Sequence, residues 1–140
     1  MTVSTSADIP LPIATIWAMI SDFSGLKNWH PLVDRCETVG QGEGAVRTVH
    51  FADWWATESL DRLDHDHHVL EYRVIDSSRP AVIGVKGSMR LTSLSPDATR
   101  IDWVSGLQAD HPAANEVNQG LQAYYPVRLG HLRAALGLPS

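Results

Sequence analysis

The chain reads as an α+β domain in which a curved, seven-stranded antiparallel sheet wraps around one long C-terminal helix. Three observations lead there. Period-two alternation opens the chain, with Val3, Thr5, Ala7 and Ile9 on one face and Thr2, Ser4, Ser6 and Asp8 on the other. Six further strand-like segments follow one another between Val33 and Ala109, divided mostly by turn-rich stretches. Helical periodicity is confined to two short pieces after the first strand and to the segment after Pro112.

Each element follows from its residues. Pro10 and Pro12 end the first strand, and Ile13, Ile16, Trp17 and Ile20 then recur at helical spacing up to Asp22. A second short helix over residues 24–29 stops at Pro31, because a residue preceding proline avoids the helical region. Strands are expected at 33–39, 45–51, 56–64, 68–76, 81–95 and 99–109. Their separators are GQGEG, ADWW, HDH, SSRP and SPDA, of which ADWW is the odd one, since two adjacent tryptophans are poor turn formers. Leu70, Tyr72 and Val74 share one face of the fifth strand, and Ile101, Trp103, Ser105 and Leu107 one face of the seventh, as in half-buried antiparallel sheets. The last helix starts at Pro112 and aligns Val117, Leu121, Tyr124, Arg128, Leu132 and Ala135 on a stripe. About 24 residues make it roughly 36 Å long. Pro126 inside it cannot donate to the Gln122 carbonyl, which predicts a kink beside Tyr124 and Arg128. One long helix cannot fill the concavity of such a sheet, so an internal cavity is expected.

Composition narrows the function. At 140 residues, 44% hydrophobic and 19% charged, the chain suits one globular domain spanning 1–140. A net charge of −5 with 11 scattered basic residues argues against nucleic acid as a partner. Cys36 is the single cysteine, so neither an internal disulfide nor a cysteine-rich metal site is expected. No basic region precedes an apolar run and no apolar stretch approaches spanning length, so a cytoplasmic protein without membrane insertion is expected. No phosphate-cradling loop, dinucleotide fingerprint or Ser-His-Asp order is visible, and no cofactor is expected. A homodimer is left open.

The element order, together with the segments IWAMISDFSGLKNWHPLV, GEGAVRTVHF, ESLDRLD and IDWVSGL, resembles the polyketide cyclase/dehydrase, START-like superfamily of birch-allergen-like helix-grip proteins. Within it the chain is similar to the branch that includes plant abscisic acid receptors and many bacterial proteins. The resemblance spans nearly the whole chain. It implies a helix-grip fold around a pocket for a small hydrophobic or aromatic molecule, with ADWWA, residues 52 to 56, as a gate loop and SSRPA, residues 77 to 81, as its neighbouring latch. It also implies that Glu58 faces the cavity early in the fourth strand. Asp34 stands where the receptors place the lysine that grips their hormone's carboxylate, so the resemblance points away from abscisate and toward a ligand with a cationic or hydroxyl group.

These readings select the candidate site. Arg128 lies on the stripe of the long helix, where a guanidinium needs a partner or an aqueous cavity unless it snorkels to water. Glu58 either pairs with Arg128 or orients a ligand; the alternative is a solvent-facing strand carboxylate. Tyr72 and Tyr124 offer hydroxyls on apolar faces, and Trp29 and Trp103 offer rings for core packing or ligand contact. Of the tryptophan pair, alternation lets one side chain face inward, which assigns Trp54 to the cavity and Trp55 to the sheet edge or a neighbouring chain. The consecutive His65, Asp66, His67 and His68 read as a solvated turn rather than a metal site, and His30 as capping, packing or acid–base. If the protein is an enzyme, Glu58, Arg128 and Tyr124 form the catalytic set for a cofactor-free cyclisation, dehydration or isomerisation by general acid–base chemistry. If it is a carrier or sensor, Trp29, Asp34, Trp54, Trp55, Tyr72 and Trp103 form the binding set.

Overall fold

The computed structural model describes residues 3–139, so Thr2, read onto the polar face of the first strand, lies outside the described residues. The elements run β1 (Val3–Ile9), α1 (Ile13–Ile20), a 3₁₀ segment (Phe23–Asn28), β2 (Arg35–Val39), β3 (Val46–His50), β4 (Trp55–Asp64), β5 (Val69–Ser77), a 3₁₀ turn (Pro80–Val82), β6 (Lys86–Ser95), β7 (Ala98–Gly106) and α2 (Ala114–Ala135). The seven strands form one antiparallel sheet in the order β1-β7-β6-β5-β4-β3-β2. Register shifts between Thr57 and Glu58, between Leu60 and Arg62, and between Ser93 and Ser95 interrupt the ladders, and such irregularities bend a strand and increase its twist.

The helix α2 leans on β1 and β7, one side of this sheet. The 3₁₀ segment packs on β2, at the opposite edge. Between them the inner faces of β3, β4 and β5 are left facing open space, because a single helix about 10 Å across cannot cover a curved seven-stranded sheet. Apolar packing concentrates where the elements converge: Ile16, Leu60, Ile101 and Leu132 have almost no exposed surface. These side chains join α1, the sheet and α2 in one cluster.

Most element bounds shift by one to a few residues from the sequence reading, and two of the shifts have a clear local reason. The stretch 81–95 is not one strand: Pro80 opens a 3₁₀ turn, Gly84 takes a left-handed φ of +99°, and pairing resumes only at Lys86. The last helix starts at Ala114 rather than Pro112, after a turn in which the Ala113 N–H donates to His111 Nδ1 at 3.0 Å and the Ala114 N–H to the His111 carbonyl at 3.0 Å. Its buried stripe passes through Tyr125, Arg128, Leu129 and Leu132, and Ala135 is exposed. The stripe read from sequence had placed Tyr124 where the structure buries Tyr125.

The histidine-rich hairpin is ordered by its own side chains. Asp64 accepts from the N–H groups of Asp66 (3.1 Å) and His67 (3.0 Å) and contacts His67 Nδ1 at 2.9 Å, which holds its carboxyl far below the ordinary range. The indole of Trp17 donates to His65 Nδ1 at 3.0 Å and packs edge-on against His68. These contacts tie α1 to the β4–β5 turn. Among the described residues no three His, Cys, Asp or Glu side chains converge as metal ligands.

Candidate functional site

The space between α2 and the sheet is a cavity of about 450 Å³ with largely apolar walls. Strand alternation decides which side chains reach it. On β3 and the residue after it, Arg47, Val49 and Phe51 line the cavity; from the loop into β4, Trp54, Ala56 and Glu58 do; on β5, Leu70, Tyr72 and Val74 do. Trp29, Met89 and Trp103 close the inner end, and Leu121, Tyr124, Tyr125 and Arg128 form the helical wall. The cavity is thus built from the inward phase of each strand.

The candidates from sequence separate into those this geometry brings together and those it does not. Glu58, Arg128, Tyr124, Tyr72, Trp29, Trp103 and Trp54 all line the cavity. Asp34 does not: Val33 before it turns inward with 3% of its surface exposed, so Asp34 points outward, and its backbone N–H donates to the His50 carbonyl at 2.8 Å. Trp55 does not either, because as the first residue of β4 it has the opposite phase to Trp54 and Ala56. Its carbonyl accepts from Ser77 Oγ at 2.7 Å, and its N–H donates to Ser78 Oγ at 3.0 Å, joining the loop before β4 to the one after β5.

Trp54 forms the mouth. Its ring stacks on Phe51 with centroids 4.4 Å apart and planes at 12°, and the Arg79 guanidinium lies 4.6 Å from its centroid. Arg79 also reaches Asp53 at 3.4 Å, a surface pair that contributes little by itself. The residues 52–56 and 77–81 therefore meet through the Arg79–Trp54 cation–π contact, the Arg79–Asp53 ion pair and the hydrogen bonds of the Trp55 backbone to Ser77 and Ser78.

Of the alternatives open for Glu58, pairing with Arg128 is not the one the structure shows. Arg47 takes the carboxylate, with Nε at 2.8 Å and Nη2 at 2.7 Å from Glu58 Oε1. The reason is register: Arg47 and Glu58 are directly opposite across the β3–β4 ladder, and both are in inward phase. Arg47 also donates from Nη1 to the Phe23 carbonyl at 2.9 Å and stacks on the Phe23 ring at 4.0 Å, so the inner face of the 3₁₀ segment completes its surroundings. Arg47 was missed from sequence although Val49 and Phe51, at i+2 and i+4, mark its side of the strand as the buried one.

Arg128 is 4% exposed and is held differently. Its guanidinium stacks on Tyr124, 4.1 Å from the ring centroid, and Nη1 donates to His131 Nδ1 at 2.6 Å. Because an arginine only donates, that nitrogen of His131 must be unprotonated; burial and the adjacent guanidinium both lower the His131 pKa, consistent with a neutral ring. His30, 4% exposed, shares a 2.7 Å hydrogen bond between Nε2 and the Tyr124 hydroxyl. Burial, followed by the positive charge of Arg128, pushes its pKa from 6.5 down to about 3, so the imidazole is neutral at ordinary pH.

A second polar chain crosses the inner end. The Trp103 indole donates to the Tyr72 hydroxyl at 3.1 Å, and the Tyr125 hydroxyl donates to Ser105 Oγ at 2.6 Å. The Tyr125 proton being thus engaged, Tyr72 is the donor in the 3.2 Å contact between the two phenols. Burial raises both phenols, Tyr72 to about 12, so they stay protonated and act as fixed dipoles in an apolar wall. Gly87 makes this possible: it lies opposite Tyr72 across the β5–β6 ladder, and a Cβ there would overlap the Tyr72 ring. Tyr125 had no signal separating it from Tyr124 in the sequence beyond the exact phase of the helix.

Comparison with known proteins agrees with this architecture. The family described as polyketide cyclase / dehydrase and lipid transport matches residues 1–137. A protein from Nitrosospira multiformis has a similar structure at 19% identity, with a TM-score of 0.79 over 96% of this chain and 94% of that one. XoxI from Bacillus cereus is similar at 18% identity, with a TM-score of 0.80 over 96% and 95% of the two chains. Ara h 8.0201, at 15% identity, superposes with a TM-score of 0.74 over 98% of each chain, which identifies the birch-allergen-like helix-grip fold.

Proposed function

This chain belongs to the polyketide cyclase/dehydrase and lipid-transport family, and we propose that it binds a small, largely apolar or aromatic molecule in the cavity between α2 and the sheet. The observation that carries this reading is the cavity: about 450 Å³ of mostly apolar wall, interrupted by a few fixed polar groups, beneath a mouth made of two loops. Pockets for small ligands are built this way, with apolar area for affinity and sparse polar groups for orientation. Trp54 serves as the lid side chain, since it lines the cavity from the loop before β4, stacked on Phe51 and beneath the exposed Arg79.

A neutral, environment-sensitive dye such as Nile red is expected to bind with one-to-one stoichiometry to the folded protein. Trp54→Ala is expected to speed dye release several-fold with a smaller change in entry, since removal of an interface contact acts mainly on the off-rate. Absence of dye uptake by the folded chain would remove the reading.

The catalytic version assigns Glu58 as base and Tyr124 or Arg128 as the group polarising a carbonyl. It is favoured by one feature: Arg47 occupies only Oε1 of Glu58, so Oε2 takes no part in that fork. Glu58→Gln keeps an oxygen acceptor for Arg47 and is expected to leave ligand affinity within about tenfold, roughly 1.4 kcal/mol. In a catalyst it lowers turnover at least about a hundredfold, and in a carrier or sensor there is no turnover to lower.

A further inference from the structure

Two guanidiniums, Arg47 and Arg128, line the interior of the cavity, and one carboxylate, Glu58, lies there with them. The other charged side chains on its wall, Arg79 and Glu116, are exposed. Glu58 is consumed by Arg47, through the edge of the guanidinium formed by Nε and Nη2. On Arg128 the equivalent Nε is buried and has no hydrogen-bond partner, while Nη1 is occupied by His131. Among the described residues no carboxylate forms an ion pair with Arg128. Its neighbours His131 and His30 cannot neutralise it, since a histidine is either neutral or positive. A buried cation left in this condition is costly, and proteins satisfy it with a partner charge.

We propose that the partner is the ligand: the molecule bound in the cavity carries a carboxylate that docks on Arg128. A guanidinium pairs with a carboxylate through short, charge-assisted N–H to oxygen bonds, stronger than those it makes to a neutral group. The stack on Tyr124 and the bond to His131 hold the guanidinium plane in place beforehand, which lowers the ordering cost of docking. The apolar body of the acid then lies toward the wall formed by Val74, Val85 and Leu121. This rests on the cavity-binding reading and deepens it, and it reverses the cationic or hydroxyl ligand implied by Asp34, which does not reach the cavity.

The test is competition against Nile red by three compounds of one shape: 2-naphthoic acid, 2-naphthamide and 2-naphthylmethylamine, at neutral pH. The acid is expected to displace the dye at a concentration at least about tenfold lower than the amide, with the amine weakest. Arg128→Met removes the charge with little change in volume, and is expected to bring acid and amide within about twofold of each other. Arg128→Lys keeps the charge without the planar fork, and an intermediate preference for the acid is expected if the methionine variant does not fold. Equal displacement by acid and amide in the wild type, or an acid preference that survives in Arg128→Met, overturns the inference and leaves the cavity reading standing. No uptake of Nile red by the wild type overturns both.

Discussion

Arg47 and Arg128 are the same residue type, about equally buried, on the wall of one cavity, and they are satisfied in different ways. Arg47 has a carboxylate directly opposite on the next strand, a backbone carbonyl and an aromatic face. Arg128 has an aromatic face and a neutral imidazole, and one N–H without a partner. The first arrangement is complete within the chain; the second is incomplete until something else arrives. Buried arginines are therefore informative through the partner they lack, and burial alone does not distinguish a structural ion pair from a docking site.

The comparison is broken most severely at Glu58. Glu58→Ala leaves Arg47 buried without its carboxylate, and truncating one member of a buried pair costs about 3–5 kcal/mol. Chemical denaturation is expected to show a loss near the lower end of that range, because water reaches part of the Glu58 side chain. Arg128→Met should not behave this way: with no carboxylate to orphan, its stability change is expected to stay within about 1 kcal/mol, which thermal unfolding can read.

His30 sharpens the contrast through pH. Its folded pKa of about 3 lies below the ordinary histidine value of 6.5, so the unfolded chain takes up the proton first as pH falls. Stability contributed by the neutral imidazole is complete above about 6.5 and declines as pH drops from there toward 3, by up to about 1.4 kcal/mol per pH unit. His30→Gln is expected to flatten that part of the stability profile. A wild-type profile unchanged between pH 6.5 and 4 relative to this variant would show that the imidazole is not held neutral. A modest effect is expected at Tyr124→Phe, which removes the hydroxyl bonded to His30 but keeps the ring under Arg128; about 1 kcal/mol of stability is the ordinary value of one such bond, and thermal unfolding reads it.

Much of this was legible in the sequence because it depends on local periodicity. Alternation placed Tyr72, Trp103 and Val74 on inner faces, and the same rule applied across ADWW separated Trp54 from Trp55. The element order and the long C-terminal helix followed from the two periods and their punctuation, while most strand ends shifted by one to a few residues, the largest shift falling where Gly84 sets a local turn before Lys86. The contacts of Asp64 that order the histidine-rich turn were not read from the sequence, which singled out only His65, Asp66, His67 and His68 there.

What the chain's own pattern determined was which side of each element faces inward and in what order the elements come. Which inward groups meet was decided only by tertiary structure. Glu58 pairs with Arg47 rather than Arg128 because cross-strand register sets them opposite one another, a relation between positions that periodicity within either strand does not contain. Tyr125 rather than Tyr124 joins the buried hydroxyl chain because a rotation of α2 by one residue, about 100° around its axis, changes which ring reaches Tyr72. Arg128 is left without a counter-charge for the same reason, since the absence of a partner is a property of everything packed around the helix and of nothing in its sequence.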